Sequence, residues 1–414
     1  MENENDSVKK KRVKKKRIGG SKGRTRVRGA KSREQEGRKR ESGVEEAKKR
    51  KEEGKEAREG LRVEIGFHDR EEEIKELMNI LDTRPDIITF VYGPINSGKT
   101  ELFNYLIGKL PEKYKVFYIN LRGVYVREAD DFLKVLFEVE EEESTVREFL
   151  KVVIDALPRS VGGIPIPKSA FLRFFEGKEV ENVFRYLEMF FKRISEKFIP
   201  VLIMDELQVI KDVKIDELLI YKLFNFFIRL TKELHVCHVF AVTSDSLFIE
   251  RIYAEAMLHG RCRFLLVDDF DYEETKEFLK RKGLSDEEIA YVWENVGGKP
   301  VYLVEIVKSE DKRKKVEELL SVRESEIRQR LKILREFGER ISIYGEEYNV
   351  DYERVIEALS MFAEREHIDN DEIDEISKRY LVKLNILFAD PVRGKIKTQS
   401  KIDLIAIRNI LHAR

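Results

Sequence analysis

Three observations predict an α/β fold for the middle of this 414-residue chain, with a parallel sheet flanked by helices. Continuous apolar runs alternate with helical patterns from residue 61 to about 270, as in a sheet buried on both faces. The run at 87–92 leads straight into a glycine-rich loop, Gly93-Pro94-Ile95-Asn96-Ser97-Gly98-Lys99-Thr100. A later apolar run, 199–204, ends in Asp205-Glu206.

The elements follow in order. Ile74, Leu77, Met78 and Leu81 recur at helical spacing and predict a first helix. After the strand at 87–92 and its loop, Leu102, Phe103, Leu106, Ile107 and Leu110 mark a second helix. A second strand is expected at 114–120, and helical patterns occupy much of 129–157 and 180–196. Between them, the segment 159–170 carries Gly162, Gly163, Pro165 and Pro167. It reads as a connection, or as a projecting substrate-contact loop carrying Lys168. The third strand at 199–204, a helix at about 215–233 and strands at 238–243 and 263–267 complete the alternation.

The loop matches G-x-x-x-x-G-K-[ST] in the strand–loop–helix setting that gives the pattern meaning. Its glycines let backbone N–H groups turn inward around a phosphate, Lys99 can reach β- and γ-phosphates, and Thr100 can ligate Mg²⁺. The helix that follows aims its N-terminus at the anion. Nucleoside triphosphate binding is the expectation. About 105 residues later, Asp205 at a strand end is suited to the Mg²⁺ shell and Glu206 to polarising an attacking water. The next strand ends in Thr243-Ser244-Asp245, whose hydroxyls serve either the γ-phosphate or a helix cap.

Charge is divided unevenly. Residues 1–60 hold 23 Lys and Arg against 12 Asp and Glu, a net of +11, so the other 354 residues carry −11. That tail has no aromatic residue and no leucine, so it cannot bury enough apolar surface to fold alone. A disordered basic N-terminal tail is expected, either as an arm on nucleic-acid phosphates or as a solubilising extension. Thirty-eight percent charged residues with only four glutamines resembles a hyperthermophile composition. Two cysteines make no disulfide framework, and no apolar run approaches the length of a membrane span, so a cytoplasmic protein without membrane contact is expected. His235-x-Cys237-His238 has metal-like residue types but lies along an apolar strand with no second cluster, which favours buried strand residues over zinc.

Beyond residue 270 helices dominate, with Tyr291 and Trp293 read as core of a small helical lid. A long amphipathic stretch with Ile327, Leu331, Ile333, Leu334 and Phe337 leads to the last eighty or so residues. There a helix face (Val355, Ile356, Leu359, Phe362), a second helix to about Lys383, an apolar run at 384–389, a turn at 390–394, a strand at 395–398 and a final helix follow the order of a winged helix. Lys378, Arg379, Lys383, Arg393, Lys395 and Lys397 offer a basic face, against an acid-rich 369–375 segment.

Phe67-His68-Asp69-Arg70-Glu71-Glu72-Glu73-Ile74 resembles the entry motif of the archaeal ATPase family in the AAA+/STAND branch of P-loop NTPases. The phosphate loop, Asp205-Glu206-Leu207-Gln208, Thr243-Ser244, Gly260-Arg261 and Gly297-Gly298-Lys299-Pro300 follow in that family's order, and the resemblance covers roughly 61–414. It implies a P-loop NTPase core at 61–270, a helical lid at 271–320 and a winged-helix domain at 321–414. It also implies ATP and Mg²⁺ as ligands, with Phe67 and Arg70 bordering the adenine, Gln208 in the site and Pro300 closing over the nucleotide. Arg261 stands where such proteins place a finger toward a neighbour's γ-phosphate in a homo-oligomer. The family's usual Gly-Ser is Thr243-Ser244 here, which leaves open which hydroxyl is the sensor. Two functions are consistent with all this: a DNA-associated ATPase using tail and winged helix, or a STAND-type nucleotide-gated switch acting on protein partners.

Overall fold

In the computed structural model the chain divides into two units, Met1–Glu64 and Ile65–Arg414. Residues 67–413 are described, except 69, 142–144, 178–179, 212, 216, 256–257 and 344, so the basic tail at 1–60 lies outside the described residues.

Six parallel strands form the central sheet: β1 (Ile88–Tyr92), β2 (Tyr114–Asn120), β3 (Ser160–Val161), β4 (Ile199–Asp205), β5 (His238–Thr243) and β6 (Cys262–Leu266). Their order is β6-β1-β5-β4-β2-β3. Every residue of β1 and β5 is buried, which is why their sequences are mostly apolar rather than alternating apolar with polar. The strand period of two deals their side chains to two cores. Ile88, Phe90 and Tyr92 join Phe117, Met204, Phe190 and Phe224 on one face. Val91, Val116, Ile203 and Val242 join Leu77, Leu102 and Phe103 on the other. That second face is covered by α1 (Glu71–Leu81) and α2 (Lys99–Lys109). Because all strands run the same way, Tyr92, Asn120, Asp205, Thr243 and Leu266 end at one edge, where open α/β sheets bind ligands.

The segment 159–170, read either as a connection or as a projecting loop, forms strands of its own. Ser160–Val161 is the edge strand β3, and Ile164–Pro167 is a fully buried strand paired in parallel with Phe137–Glu140. The pairing explains it: all four residues are buried, Ile164 and Ile166 completely, and Pro165 and Pro167, lacking N–H groups, are tolerated because the strand is paired on one side only. Lys168 opens a helix and pairs with Glu141 at 2.6 Å. The helical pattern of 129–157 is likewise split by that short strand into α3 (Ala129–Leu136) and α4 (Val146–Ala156). Two further helices, α5 (Lys168–Gly177) and α6 (Val180–Ser195), precede β4. The helix expected at 215–233 is α7 (Leu219–Ile228) extended by a π-turn, and α8 (Ser246–Glu255) follows β5.

His235, Cys237 and His238 point to separate partners. The His235 ring bonds Pro85 O at 2.6 Å, the Cys237 thiol donates to the His238 carbonyl, and the His238 ring is buried with Nε2 unpaired. Burial pushes the His238 imidazolium down from 6.5 to about 4. The unfolded chain therefore binds the proton first, so this ring's contribution is intact above pH 6.5 and lost as pH falls toward 4. The wild type is expected to lose ~3 kcal/mol on that account over this window, and His238→Gln is not. Unfolding free energies at pH 7.5, 6 and 4.5 check it; parallel curves for the two proteins would contradict it.

Three helices follow the sheet: α9 (Tyr272–Arg281), α10 (Asp286–Asn295) and α11 (Pro300–Lys308). Capping boxes Asp271/Glu274 and Ser285/Glu288 start the first two. Their core includes Phe278, Ile289, Val292 and Leu303. The 26-residue α12 (Lys312–Phe337) then leads to an unforeseen hairpin, Glu339–Ile343 with Glu346–Val350, and to a separate core. That last part comprises α13 (Tyr352–Ser360), β7 (His367–Asp369), α14 (Glu375–Lys383), β8 (Leu387–Asp390), β9 (Lys395–Thr398) and α15 (Lys401–His412). Its antiparallel sheet has the order β7-β9-β8. Among the described residues no helix is long and apolar enough to cross a membrane.

Candidate functional site

The glycine-rich loop leaves β1 in a conformation that only its composition permits. A Cβ on Gly93 would stand 2.0 Å from the Val267 carbonyl oxygen, and Gly98, at φ 94, begins α2 without a side-chain cap. Asn96 also holds a left-handed conformation, at φ 60. Lys99 is buried, and its Nζ donates to Gly93 O at 2.9 Å, Pro94 O at 2.8 Å and the Ser97 hydroxyl at 3.3 Å. Burial, then the nearby Lys299 ammonium, lowers its pKa to about 8.

Across the sheet edge, β4 delivers its carboxylates. Thr100 donates to Asp205 Oδ2 at 2.8 Å, joining residues far apart in the chain, and the Tyr118 hydroxyl from β2 donates to the same oxygen at 2.7 Å. Burial and the Asp205 charge push the Tyr118 phenol far up, so it remains a donor. Glu206 sits just beyond the strand with φ 60, and its carboxylate is held from two sides. Arg122 donates to Oε1 and Gln208 to Oε2, the latter at 2.5 Å, while Thr243 donates to Gln208 Oε1 at 2.7 Å. Thr243 is thus wired to Glu206 through Gln208; its Oγ also accepts from Asp245 N at 3.1 Å, whereas Ser244 is outside this relay.

Arg70 ties the entry motif to the loop. Its guanidinium donates to Ser97 O at 2.8 Å and Asp268 O at 2.6 Å, pairs with Glu73, and lies over the Phe270 ring. Phe67 stacks on Tyr105 of α2 with ring centroids 4.0 Å apart. Arg261 lies elsewhere. Its carbonyl accepts from Ile88 N at the start of β1, so a five-residue strand, about 16 Å, separates it from the loop of its own chain.

The Gly297-Gly298-Lys299-Pro300 box also reaches the site, through Lys299. A Cβ on Gly298 would meet Phe270 O at 1.8 Å, and Phe270 N donates to Gly298 O at 3.0 Å, so the box is pinned against the chain leaving β6. Pro300 opens α11 at its first position. Lys299 is buried, donating to Ile95 O at 2.8 Å and to Asp269 Oδ1 at 2.9 Å. From the C-terminal part, Gln399 accepts from Ile95 N at 3.1 Å, Asp390 accepts from the Tyr92 hydroxyl at 2.9 Å, and Lys397 donates to Asp268 Oδ1 at 2.6 Å. Lys299, Gln399, Arg122 and Tyr118 were not singled out as site residues by their sequence setting; only Lys299, inside a glycine–proline box, carried a signal.

Residues 67–306 match the family model described as an ATPase domain predominantly from Archaea. Residues 313–411 match the C-terminal domain of MJ1010-like uncharacterized ATP-binding proteins. The uncharacterized ATP-binding protein MJ1659 of Methanocaldococcus jannaschii is 44% identical over 83% of this chain and 97% of its own length. PYRAB12000 of Pyrococcus abyssi, with the same description, is 46% identical over 82% of this chain and 96% of its own. The Walker-type ATPase PABY2304 of Pyrococcus abyssi shares the fold, with a TM-score of 0.56 at 19% identity, over 84% of this chain and 99% of that one. With its central parallel sheet, its G-x-x-x-x-G-K-T loop and these relatives, the chain belongs to the P-loop ATPase family found predominantly in Archaea.

Proposed function

We propose that this protein is a Mg²⁺-dependent ATP hydrolase that couples nucleotide turnover to movement of its C-terminal part. The observation that carries the reading is the Thr100–Asp205 hydrogen bond, which unites the loop's last hydroxyl with the β4 carboxylate at one sheet edge. Two hard oxygen donors there suit Mg²⁺, which supplies charge neutralisation to the phosphates when bound. Lys99 exchanges the loop's own carbonyls for β- and γ-phosphate oxygens, and Phe67 with Pro300 bounds the base. Glu206 takes the proton of the attacking water once Arg122 and Gln208 yield it, and Thr243 reports on the γ-phosphate through Gln208. Arg261 serves a neighbouring copy.

The order α13-β7-α14-β8-β9-α15 supports a winged helix at 321–414, following an ATPase core at 61–270 and a lid at 271–320. Gln399, Asp390 and Lys397 give a route by which a rearranged loop displaces it. DNA binding falls mainly to the basic tail, because five of the six cations expected on the winged helix are already paired: Lys378 with Glu375, Arg379 with Glu375, Arg393 with Asp390, Lys395 with Asp369 and Lys397 with Asp268. That same pairing favours the second reading, a nucleotide-gated switch acting on protein partners.

Deleting residues 1–60 separates the two. If the tail neutralises phosphates, its removal weakens DNA binding regardless of sequence and flattens the slope of log affinity against log salt by about 0.9 for each phosphate it had neutralised. ATPase constants measured without DNA stay unchanged. Equal salt slopes with and without the tail would remove it from DNA binding and leave the switch.

A further inference from the structure

Lys299 is a buried ammonium with two polar partners, the Ile95 carbonyl and the Asp269 carboxylate. It leaves the lid box where Gly298 lies against Phe270, and its amine ends on a carbonyl of the phosphate loop, Ile95 O, rather than in the lid's own core. Lys99 rests on Gly93 O and Pro94 O, and Lys299 on the next carbonyl, Ile95 O. Two cations, one from α2 and one from the lid box, therefore converge on three consecutive carbonyls. Asp269 is the carboxylate paired with Lys299, and no carboxylate is paired with Lys99 among the described residues. Like charges held together away from water repel, and an anion between them relieves that cost. One of the three ammonium N–H groups of Lys299 is also left over after Ile95 and Asp269 are served.

We propose that Lys299 is a second phosphate-binding cation, which reaches the terminal phosphates of a bound nucleoside triphosphate from the lid and makes the site discriminate by phosphate number. This rests on the nucleotide-binding reading above. Asp269 holds the amine in place until the nucleotide arrives and then competes with it. The alternative is a latch, in which the Lys299–Asp269 pair only closes the lid on the loop.

Binding of ATP, ADP and AMP, each with Mg²⁺, to the full chain and its variants tests this. Lys299→Met is expected to lose ~10-fold or more in ATP affinity, less for ADP and none for AMP, with Lys299→Arg restoring most of it. Asp269→Asn frees the amine and is expected to raise ATP affinity relative to AMP, an outcome independent of how the Met variant folds. A latch predicts that Asp269→Asn weakens all three nucleotides, and that Lys299→Met weakens them by one common factor together with the melting temperature of the unliganded protein. Either pattern, or no change, overturns the assignment. Failure of the wild type to bind ATP would overturn the nucleotide reading itself.

Discussion

Lys99→Ala is expected to abolish ATP turnover, lowering kcat/KM by on the order of 10³ or more. The magnitude follows from where the amine sits. It is buried at the mouth of α2, already desolvated, and held at its base by the walls of the loop that cradles the phosphates. Its stabilisation of phosphoryl charge is therefore preorganised, and water cannot substitute for it in a closed site. The fold should survive, because the sheet order and both cores are built without this side chain. Two carbonyls lose a donor, which costs the loop some order but not the domain. The checks are steady-state ATPase assays with a thermal melt on the same preparation. Full activity in a folded variant would move the site away from residues 93–100.

Glu206→Gln should separate binding from chemistry. The amide keeps the shape of the side chain but cannot take a proton, so kcat is expected to fall by about 10²–10⁴-fold while ATP affinity stays within a few-fold of wild type. The surroundings sharpen the expectation. Arg122 and Gln208 both donate to this carboxylate, and an amide presents only one oxygen to them, so one of the two donors goes without its acceptor. Tight binding of ATP with negligible turnover, measured by equilibrium binding and single-turnover hydrolysis, is the expected pair of results. Unchanged turnover would remove Glu206 as the base and leave Gln208, wired to both Glu206 and Thr243, to be tested as the group that positions the water.

Sequence by itself determined whatever depends on neighbours along the chain. Continuous apolar runs could only be buried strands, and their residues fall on β1, β2, β4, β5 and β6 within one or two positions. A loop needing glycine at 93 and 98 announced itself by composition, and so did a strand closing in Asp205-Glu206. Tertiary structure alone decided what arises when distant segments meet. Pro165 and Pro167 read as a break, yet the isoleucines beside them pair with 137–140, because a strand partner can take up what local propensity forbids. Arg122, Tyr118 and Gln399 are ordinary polar residues in their own segments; the pairing of β2 with β4 and the packing of the C-terminal part bring them to Glu206, Asp205 and Ile95. The basic residues of that last part show the same limit, since charge is legible in sequence while its neutralisation by Asp268, Asp369 or Glu375 is set by which carboxylate the fold places beside each cation.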